Sequence, residues 1–366
     1  MRIAFVMRAA FGVLGGTDSY LMPKYVAQRH DVLVLCQGNP KSREEVVYKN
    51  DDLNICDVGA GSAQTRAAKI FGALQGFKPE IVHVFHNPLC LRILYGLRRG
   101  LPLVKRVIDF RSPLLVSSNA AHAAVLWRYF LCQFFVDHVF THSLGTIEDN
   151  LPLRFRQITE LPPGVETRRF KAAGSPAGTP RKFLYIGSVA RVRQLELLIR
   201  AFARFSRNNS LRPSLDIIGG GNALGELRNL VASSGLCDCI KITGTVPQEE
   251  IYLRLCEYDA GIAYVPYDKF SKAPSLKFLE YSAAGLPFIA SDTIGHSDYA
   301  SRFGFSFTPF QNSPQGIVAG LNQICAKPDL HEEIAVNRTA VQRFDWERIV
   351  ANDLLPVYAK LRAEKL

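Results

Sequence analysis

Short apolar, β-rich runs alternate with helical patterns along nearly the whole chain, and the alternation breaks only once. Ile3–Met7, Asp31–Cys36, Glu80–Phe85, Leu103–Phe110 and His138–His142 read as strands. Helical patterns stand between them: one ending near Gln28, then Ala63–Phe77, Leu89–Arg99 and the unusually apolar 121–136. Strands joined through helices pair in parallel, and a parallel sheet must be covered on both faces. The break is Lys171–Pro180, KAAGSPAGTP, whose small residues, Gly and Pro mark a linker. The pattern then restarts. Phe183–Ile186, Leu215–Ile218, Cys239–Thr243, Ala260–Val265 and Phe288–Ala290 read as strands. Helices are expected over Gln194–Ser206, Ala223–Ser233, Gln248–Cys256 and Pro274–Ala284, the first with Leu195, Leu198, Ile199, Phe202 and Phe205 on one stripe.

The expected architecture is therefore α/β, with two doubly wound domains in tandem. The boundaries read from the sequence are 1–170, a linker at 171–180, 181–343, and a terminal helix at 344–366. A length of 366 residues agrees, since a domain takes ~150. In the tail, Trp346, Ile349, Val350, Leu354, Tyr358 and Leu361 recur at helical spacing, and Pro356 is expected to kink the helix. This helix is expected to cross back to the N-terminal domain.

Hydrophobic residues at 48% and charged residues at 21% exclude wholesale disorder. The net charge of +11 suits an anionic partner. It is spread over both halves, with no basic arm, which argues against a nucleic-acid partner. Eight cysteines in a chain this long make no disulfide framework, and Cys237 and Cys239 form a C-x-C, so reduced thiols are expected. Arg8 cuts the first apolar run at a length too short for a signal h-region, and no uncharged apolar stretch is long enough for a bilayer span. A cytoplasmic protein, peripheral at the inner face of a membrane, is the expectation.

Ligands of parallel sheets bind beyond the carboxyl ends of the strands, which directs attention to the loops there. Gly15 and Gly16 follow the first strand and precede a helix. Gly187, Ser188, Arg191 and Arg193 lie between a strand and the start of a helix, where the helix dipole favours an anion. Gly219–Gly221 imitate a dinucleotide fingerprint, but the next strand ends without the acid that a nicotinamide dinucleotide needs. Gly220 is therefore read as loop backbone near some other ligand. In KAPSLKFLEYSAAGLP, Lys277 precedes Glu280 by three residues, so cation and acid run against the dipole. A phosphate near Lys277 and the N–H groups of Ser275 and Leu276 would explain that order, with Glu280 left for a ribose diol. His86 ends the strand at Phe85, and Asp109 and Arg111 end the next one. No Asp-x-Asp occurs, so phosphate charge must be met by Arg, Lys and helix termini, and neither metal nor other cofactor is expected.

These features, with LPPGVETRRF at Leu161–Phe170, EYSAAGLPFIASD at Glu280–Asp292 and W-E-x-I at Trp346–Ile349, resemble the GT-B glycosyltransferases. More narrowly they resemble family 4, the retaining group. The resemblance implies two Rossmann-like domains, with a nucleotide sugar on the C-terminal one and a carbohydrate or lipid-linked acceptor on the N-terminal one. It implies a ribose-binding role for Glu280 and a donor-facing role for Gly16, and it places Ser188 and Arg193 in the columns of the family's diphosphate-binding Arg and Lys. Three departures stand out. Ser188 replaces an arginine, for which Arg191 or Lys277 would compensate. Lys272 stands where the first glutamate of E-x7-E belongs. Arg111 stands near the column of a histidine close to the reacting centre.

The implied function is metal-independent, hexosyltransferase-like transfer from a UDP- or GDP-sugar to a hydroxyl with retention, in glycan, cell-surface polysaccharide or glycolipid biosynthesis. Arg193, Lys277, His86 and Arg111 are the catalytic candidates. The alternatives are a sugar-nucleotide epimerase or hydrolase of the same fold, and a non-catalytic binding subunit. Residues 121–136, with Arg98, Arg99, Lys105 and Arg106 nearby in sequence, are a candidate surface for an anionic membrane.

Overall fold

The chain divides into two units, Met1–Pro163 with Trp346–Leu366, and Gly164–Asp345. The computed structural model describes residues 1–8, 10–12, 17–36, 52–59, 61–112, 119–150, 157–173, 178–273 and 275–364. Gly15, Gly16, Pro274 and the middle of the expected linker lie outside them.

The first unit is built on seven parallel strands: β1 (Arg2–Val6), β2 (Asp31–Cys36), β3 (Asn54–Asp57), β4 (Ile81–Phe85), β5 (Lys105–Phe110), β6 (His138–Thr141) and β7 (Ile158–Glu160). Their order across the sheet is β3-β2-β1-β4-β5-β6-β7. β4, β5 and β6 are buried at every position, as strands covered on both faces must be. Even Lys105 and Arg106 are buried here. The Lys105 Nζ donates to the Glu364 carbonyl (2.9 Å), and Arg106 grips Asp137 through two side-chain bonds of 2.9 and 2.8 Å. The Ala63–Phe77 helix starts where Ser62 Oγ accepts from the Thr65 N–H and ends where Lys78 turns left-handed (φ 51°).

The C-terminal segment belongs to this first unit. Trp346, Ile349, Leu354, Tyr358 and Leu361 share one apolar cluster with Ile3, Phe5, Ile81, Phe85, Val107 and Phe140. Each such large side chain contributes about 1.5–3 kcal/mol by leaving water. Pro356 does not kink a continuous helix. The chain passes through a π-turn at Val350–Leu354, and Pro356 falls in the first turn of a new helix, Leu355–Ala363, where its missing N–H costs nothing.

The second unit carries six parallel strands: β8 (Lys182–Ile186), β9 (Ser214–Ile218), β10 (Ile240–Gly244), β11 (Ala260–Ala263), β12 (Phe288–Ser291) and β13 (Thr308–Phe310). Their order is β10-β9-β8-β11-β12-β13, the doubly wound arrangement. The Leu195–Arg207 helix buries the stripe read from the sequence. The unit's two ends are tied together. The Val165 N–H donates to the Phe344 carbonyl (2.9 Å), and Asp345 Oδ2 accepts from the Thr167 N–H (3.1 Å) and hydroxyl (2.5 Å).

One buried polar chain fastens the terminal helix to the first sheet. The Tyr358 hydroxyl lies 2.6 Å from His83 Nδ1, and His83 Nε2 lies 3.1 Å from Asp109 Oδ2. Burial lowers the His83 pKa against the opposing pull of Asp109, so the ring is neutral. Its Nε2–H donates to Asp109 and its Nδ1 accepts from Tyr358. Tyr358→Phe should leave that Nδ1 unsatisfied and cost about 1–3 kcal/mol in urea unfolding of the whole chain. An unchanged midpoint would show that the bond contributes nothing.

Candidate functional site

In the second unit the strand order reverses at β8, which lies between β9 and β11. Loops leaving such a reversal point diverge and open a crevice beyond the strand ends. The Ile186–Arg193 loop is braced by the loop after β9. The Gly187 N–H donates to the Ile218 carbonyl (2.9 Å) and the Val189 N–H to the Gly220 carbonyl (2.8 Å). A Cβ on Gly219 would lie 1.7 Å from the Gly187 carbonyl oxygen. The glycine run is thus required by the close approach of two backbones.

The Leu276–Ala284 helix enters from the other side. Its Tyr281 hydroxyl donates to the Leu184 carbonyl (3.1 Å) and accepts from the Ile186 N–H (3.2 Å), which pins the helix to the end of β8. A Cβ on Gly261 would lie 2.6 Å from the Tyr281 ring, so the neighbouring strand leaves room for that tyrosine. Ser275 is the N-cap and makes no side-chain cap bond. The Phe278 N–H donates to the Ser275 carbonyl (3.0 Å), which leaves the N–H groups of Leu276 and Lys277 without an intrahelical partner, and a helix start of this kind favours an anion.

Lys277 occupies the first turn and is only 8% exposed. Its ammonium lies 4.9 Å from the centre of the Tyr185 ring and 3.5 Å from where a Cβ on Gly187 would be. Among the described residues no carboxylate forms an ion pair with it. Burial, reinforced by the Arg193 charge, pushes its pKa down to about 7, and the Glu280 carboxylate offsets this in part. Glu280 is 8% exposed and accepts from Gln248 Nε2 (3.4 Å). The guanidinium of Arg193 lies over the Phe270 ring, 3.9 Å from its centroid. Arg193 and Glu280 thus both act electrostatically on Lys277, beside Gly187. Ser188 borders the group, its carbonyl accepting from the Tyr185 hydroxyl (3.2 Å).

The two arginines do not stand at a helix start, contrary to the expectation. They form a 3-10 turn, Arg191–Arg193, and the longer helix begins only after Gln194 turns left-handed at φ 51°. Arg191 points away, into an exposed ion pair with Glu226, while Arg193 remains with Lys277.

Tyr185, Gln248, Phe270 and His296 carried no signal in the sequence. His296 is fully buried. Its Nδ1–H donates to the Ser291 carbonyl (2.8 Å), and its Nε2 has no hydrogen-bond partner among the described residues. Burial drives its pKa to about 4, helped by the charge of Lys277, so the ring is neutral and Nε2 can only accept.

In the first unit His86 follows β4, stacked on Phe110, with Nε2 3.4 Å from Ser112 Oγ. Burial and the Arg8 charge bring its pKa to about 4, again a neutral ring. Arg111 is committed elsewhere: Nε donates to Asp109 Oδ2 (2.8 Å), and a terminal nitrogen donates to the Leu161 (2.9 Å) and Pro162 (3.3 Å) carbonyls. In this placement it clamps the ends of β5 and β7. Burial raises the Asp109 pKa, but Arg111 and His83 outweigh burial and hold the carboxylate ionised.

Residues 166–340 match the family model described as glycosyl transferases group 1. No curated protein matches the chain. Among solved structures it is similar to a sucrose-phosphate synthase from Thermosynechococcus elongatus, at 18% identity over 99% of each chain and a TM-score of 0.79. It is also similar to Anabaena HepE in complex with UDP and glucose, at 15% identity over 100% of both chains and a TM-score of 0.73. A glycosyltransferase from Rickettsia africae gives 14% identity over 100% of this chain and 99% of its own, with a TM-score of 0.72. Residues 166–340 thus resemble the glycosyl transferases group 1 domain, and the chain has the GT-B fold of these solved structures.

Proposed function

We propose that the protein transfers a sugar from a nucleoside-diphosphate sugar to an acceptor hydroxyl with retention of anomeric configuration. One observation carries the reading. A buried ammonium, Lys277, stands at an uncapped helix N-terminus beside a second cation and without an ion-pair partner among the described residues. A buried cation with a half-buried one beside it is repelled by its neighbour, which raises the energy of the empty site. A diphosphate relieves both the repulsion and the desolvation. In the reaction the anomeric C–O bond to the diphosphate breaks and a bond to the acceptor oxygen forms on the same face. The acceptor proton passes to the leaving phosphate. Negative charge grows on that phosphate, so Lys277, Arg193 and the helix N–H groups stabilise the transition state more than the ground state. In this reading phosphate charge is met without a metal ion. Glu280, steadied by Gln248, accepts from the ribose diol.

The complex of HepE with UDP and glucose, and that of a pneumococcal O-GlcNAc transferase with UDP and GlcNAc, support UDP as the first base to test, with GDP second. A carbohydrate or lipid-linked hydroxyl, within glycan, cell-surface polysaccharide or glycolipid assembly, is the acceptor class we assign. Neutral His86 would orient it by accepting a hydrogen bond. A panel of UDP- and GDP-sugars in thermal shift identifies the donor, because a ligand of the folded state raises Tm. Consumption of donor without any acceptor would replace transfer by hydrolysis or epimerisation. Failure of every nucleotide to bind would leave only a non-catalytic role.

Lys277→Met should lower turnover by roughly 10²–10³-fold, the cost of losing one transition-state donor. It should also stabilise the empty protein. The folded-state pKa of about 7 lies below the ordinary lysine value of 10.5, so the folded chain binds fewer protons across that window. Stability therefore rises with pH there, and the buried charge is destabilising below it. Tm of the methionine variant should exceed that of the native chain near neutral pH by roughly 2–4 °C for each kcal/mol relieved. Lost activity together with a lower Tm would mean that Lys277 is structural.

Affinity for UDP should be greatest just below the Lys277 pKa of about 7 and decline above it. The slope, by calorimetry, should approach tenfold per pH unit and vanish in Lys277→Met. Glu280→Gln should weaken UDP binding roughly tenfold with Tm of the empty protein nearly unchanged. Equal affinity would remove Glu280 from the nucleotide site.

A further inference from the structure

The Asn119–Cys132 helix is apolar nearly all round, interrupted by Arg128, yet it is not enclosed. Its inner side buries Tyr129 and Cys132 in the core of the first unit. Its outer side presents Trp127 at 63% exposure and Phe130 at 36%, and the turn that follows adds Phe134 at 54%. Positions 127, 130 and 134 recur at helical spacing and form one ridge. The rings are ordered against each other: Trp127 stacks on Phe130 with centroids 5.3 Å apart, and Phe130 meets Phe134 edge-on at 5.7 Å. The adjoining Cys90–Gly100 helix extends the surface with Tyr95, 45% exposed and edge-on to Phe135.

Arginines are fastened to this ridge. Arg98 donates to the Phe134 carbonyl (3.0 Å), and Arg99 donates to the Tyr95 hydroxyl (2.9 Å). Between Glu80 and Asp137 the one acid is Asp109, which is fully buried and paired with Arg111. Among the described residues Arg92, Arg98, Arg99 and Arg128 have no carboxylate partner. Lys105 and Arg106, which the sequence suggested for this surface, are instead tied to Glu364 and Asp137.

We propose that the Trp127–Phe130–Phe134 ridge, with Tyr95, Arg98 and Arg99, docks onto a lipid bilayer that carries anionic headgroups. Contiguous exposed aromatics are unfavourable in water unless something covers them. Trp and Tyr sit well at headgroup depth, and arginine pairs with lipid phosphate in the same layer. A second copy bound through the same patch would set arginine against arginine, which an isologous contact does not tolerate. No helix among the described residues is long and apolar enough to cross a bilayer, so docking by this ridge is a surface contact. The inference stands apart from the transfer reaction.

The two tryptophans make the test direct. Trp346 is fully buried and Trp127 largely exposed, so a change in emission on docking reports Trp127. Vesicles of phosphatidylcholine mixed with phosphatidylglycerol should shift emission to the blue, shield it from iodide and carry the protein in flotation. Phosphatidylcholine alone should do so far more weakly. Trp127→Ala should abolish the shift and reduce partition about tenfold or more. Arg98→Gln and Arg99→Gln should each reduce partition roughly fivefold and flatten its salt dependence. Circular dichroism and an unchanged Tm exclude misfolding as the cause. Flotation that is absent in the native chain, or equal in all variants, overturns the proposal. So does a dimer by light scattering that Trp127→Ala dissolves, which would assign the ridge to self-association.

Discussion

A lysine ammonium held out of water beside another cation is the constraint around which the second unit is arranged. Such a group has no reason to stay buried unless its surroundings are fixed by stronger contacts. Those contacts are visible. Tyr281 fastens the Leu276–Ala284 helix to the last residues of β8 through two hydrogen bonds, and Gly261 makes room for the ring. Gly219 lets the loop after β9 lie directly against Gly187, which fixes the floor under the ammonium. Tyr185 supplies a π-face but no negative charge. The unfavourable electrostatics are thus held in place by these contacts, and in the proposed reading a phosphate would discharge them.

The first unit solves a different problem. Its sheet needs a cover over β1 and β4, and the chain returns after Asp345 to supply it with Trp346, Ile349, Leu354 and Tyr358. The His83–Asp109–Arg111 chain runs beneath that cover and reaches the segment that leaves β7. The same group of charges that looks catalytic from its position at a strand end is, in its contacts, a fastening.

What could be read from the sequence follows from where each residue spends its burial. Strands such as β1 and β8 are covered on both faces beyond their first residue, so Ile3–Val6 and Phe183–Ile186 appear as uninterrupted apolar runs. The Leu195–Arg207 helix has one buried face, so it appears as a stripe. The edge strand β3 is mostly exposed and β7 only half-buried, so neither carries such a signal and both escaped notice. Lys277 and Glu280 stood out because their order opposes the helix dipole, and the structure buries both. Arg191 and Arg193 looked equivalent, since nothing local shows that Glu226, thirty-five residues on, captures one of them. The glycine run at 219–221 signalled close approach correctly, but the approaching group is Gly187. The helix around Trp127 was too apolar for periodicity to tell its inner from its outer side.

The proposed role of the second unit depends on the protonation of one amine. With the Lys277 side chain labelled at its terminal carbon, NMR titration of the empty protein should give a pKa near 7. Saturation with UDP should move it upward by at least about two units, as expected when an anion is brought beside a buried ammonium. A lysine that titrates at its ordinary value in the empty protein, or that is unmoved by UDP, would contradict the claim that burial prepares this site for a diphosphate.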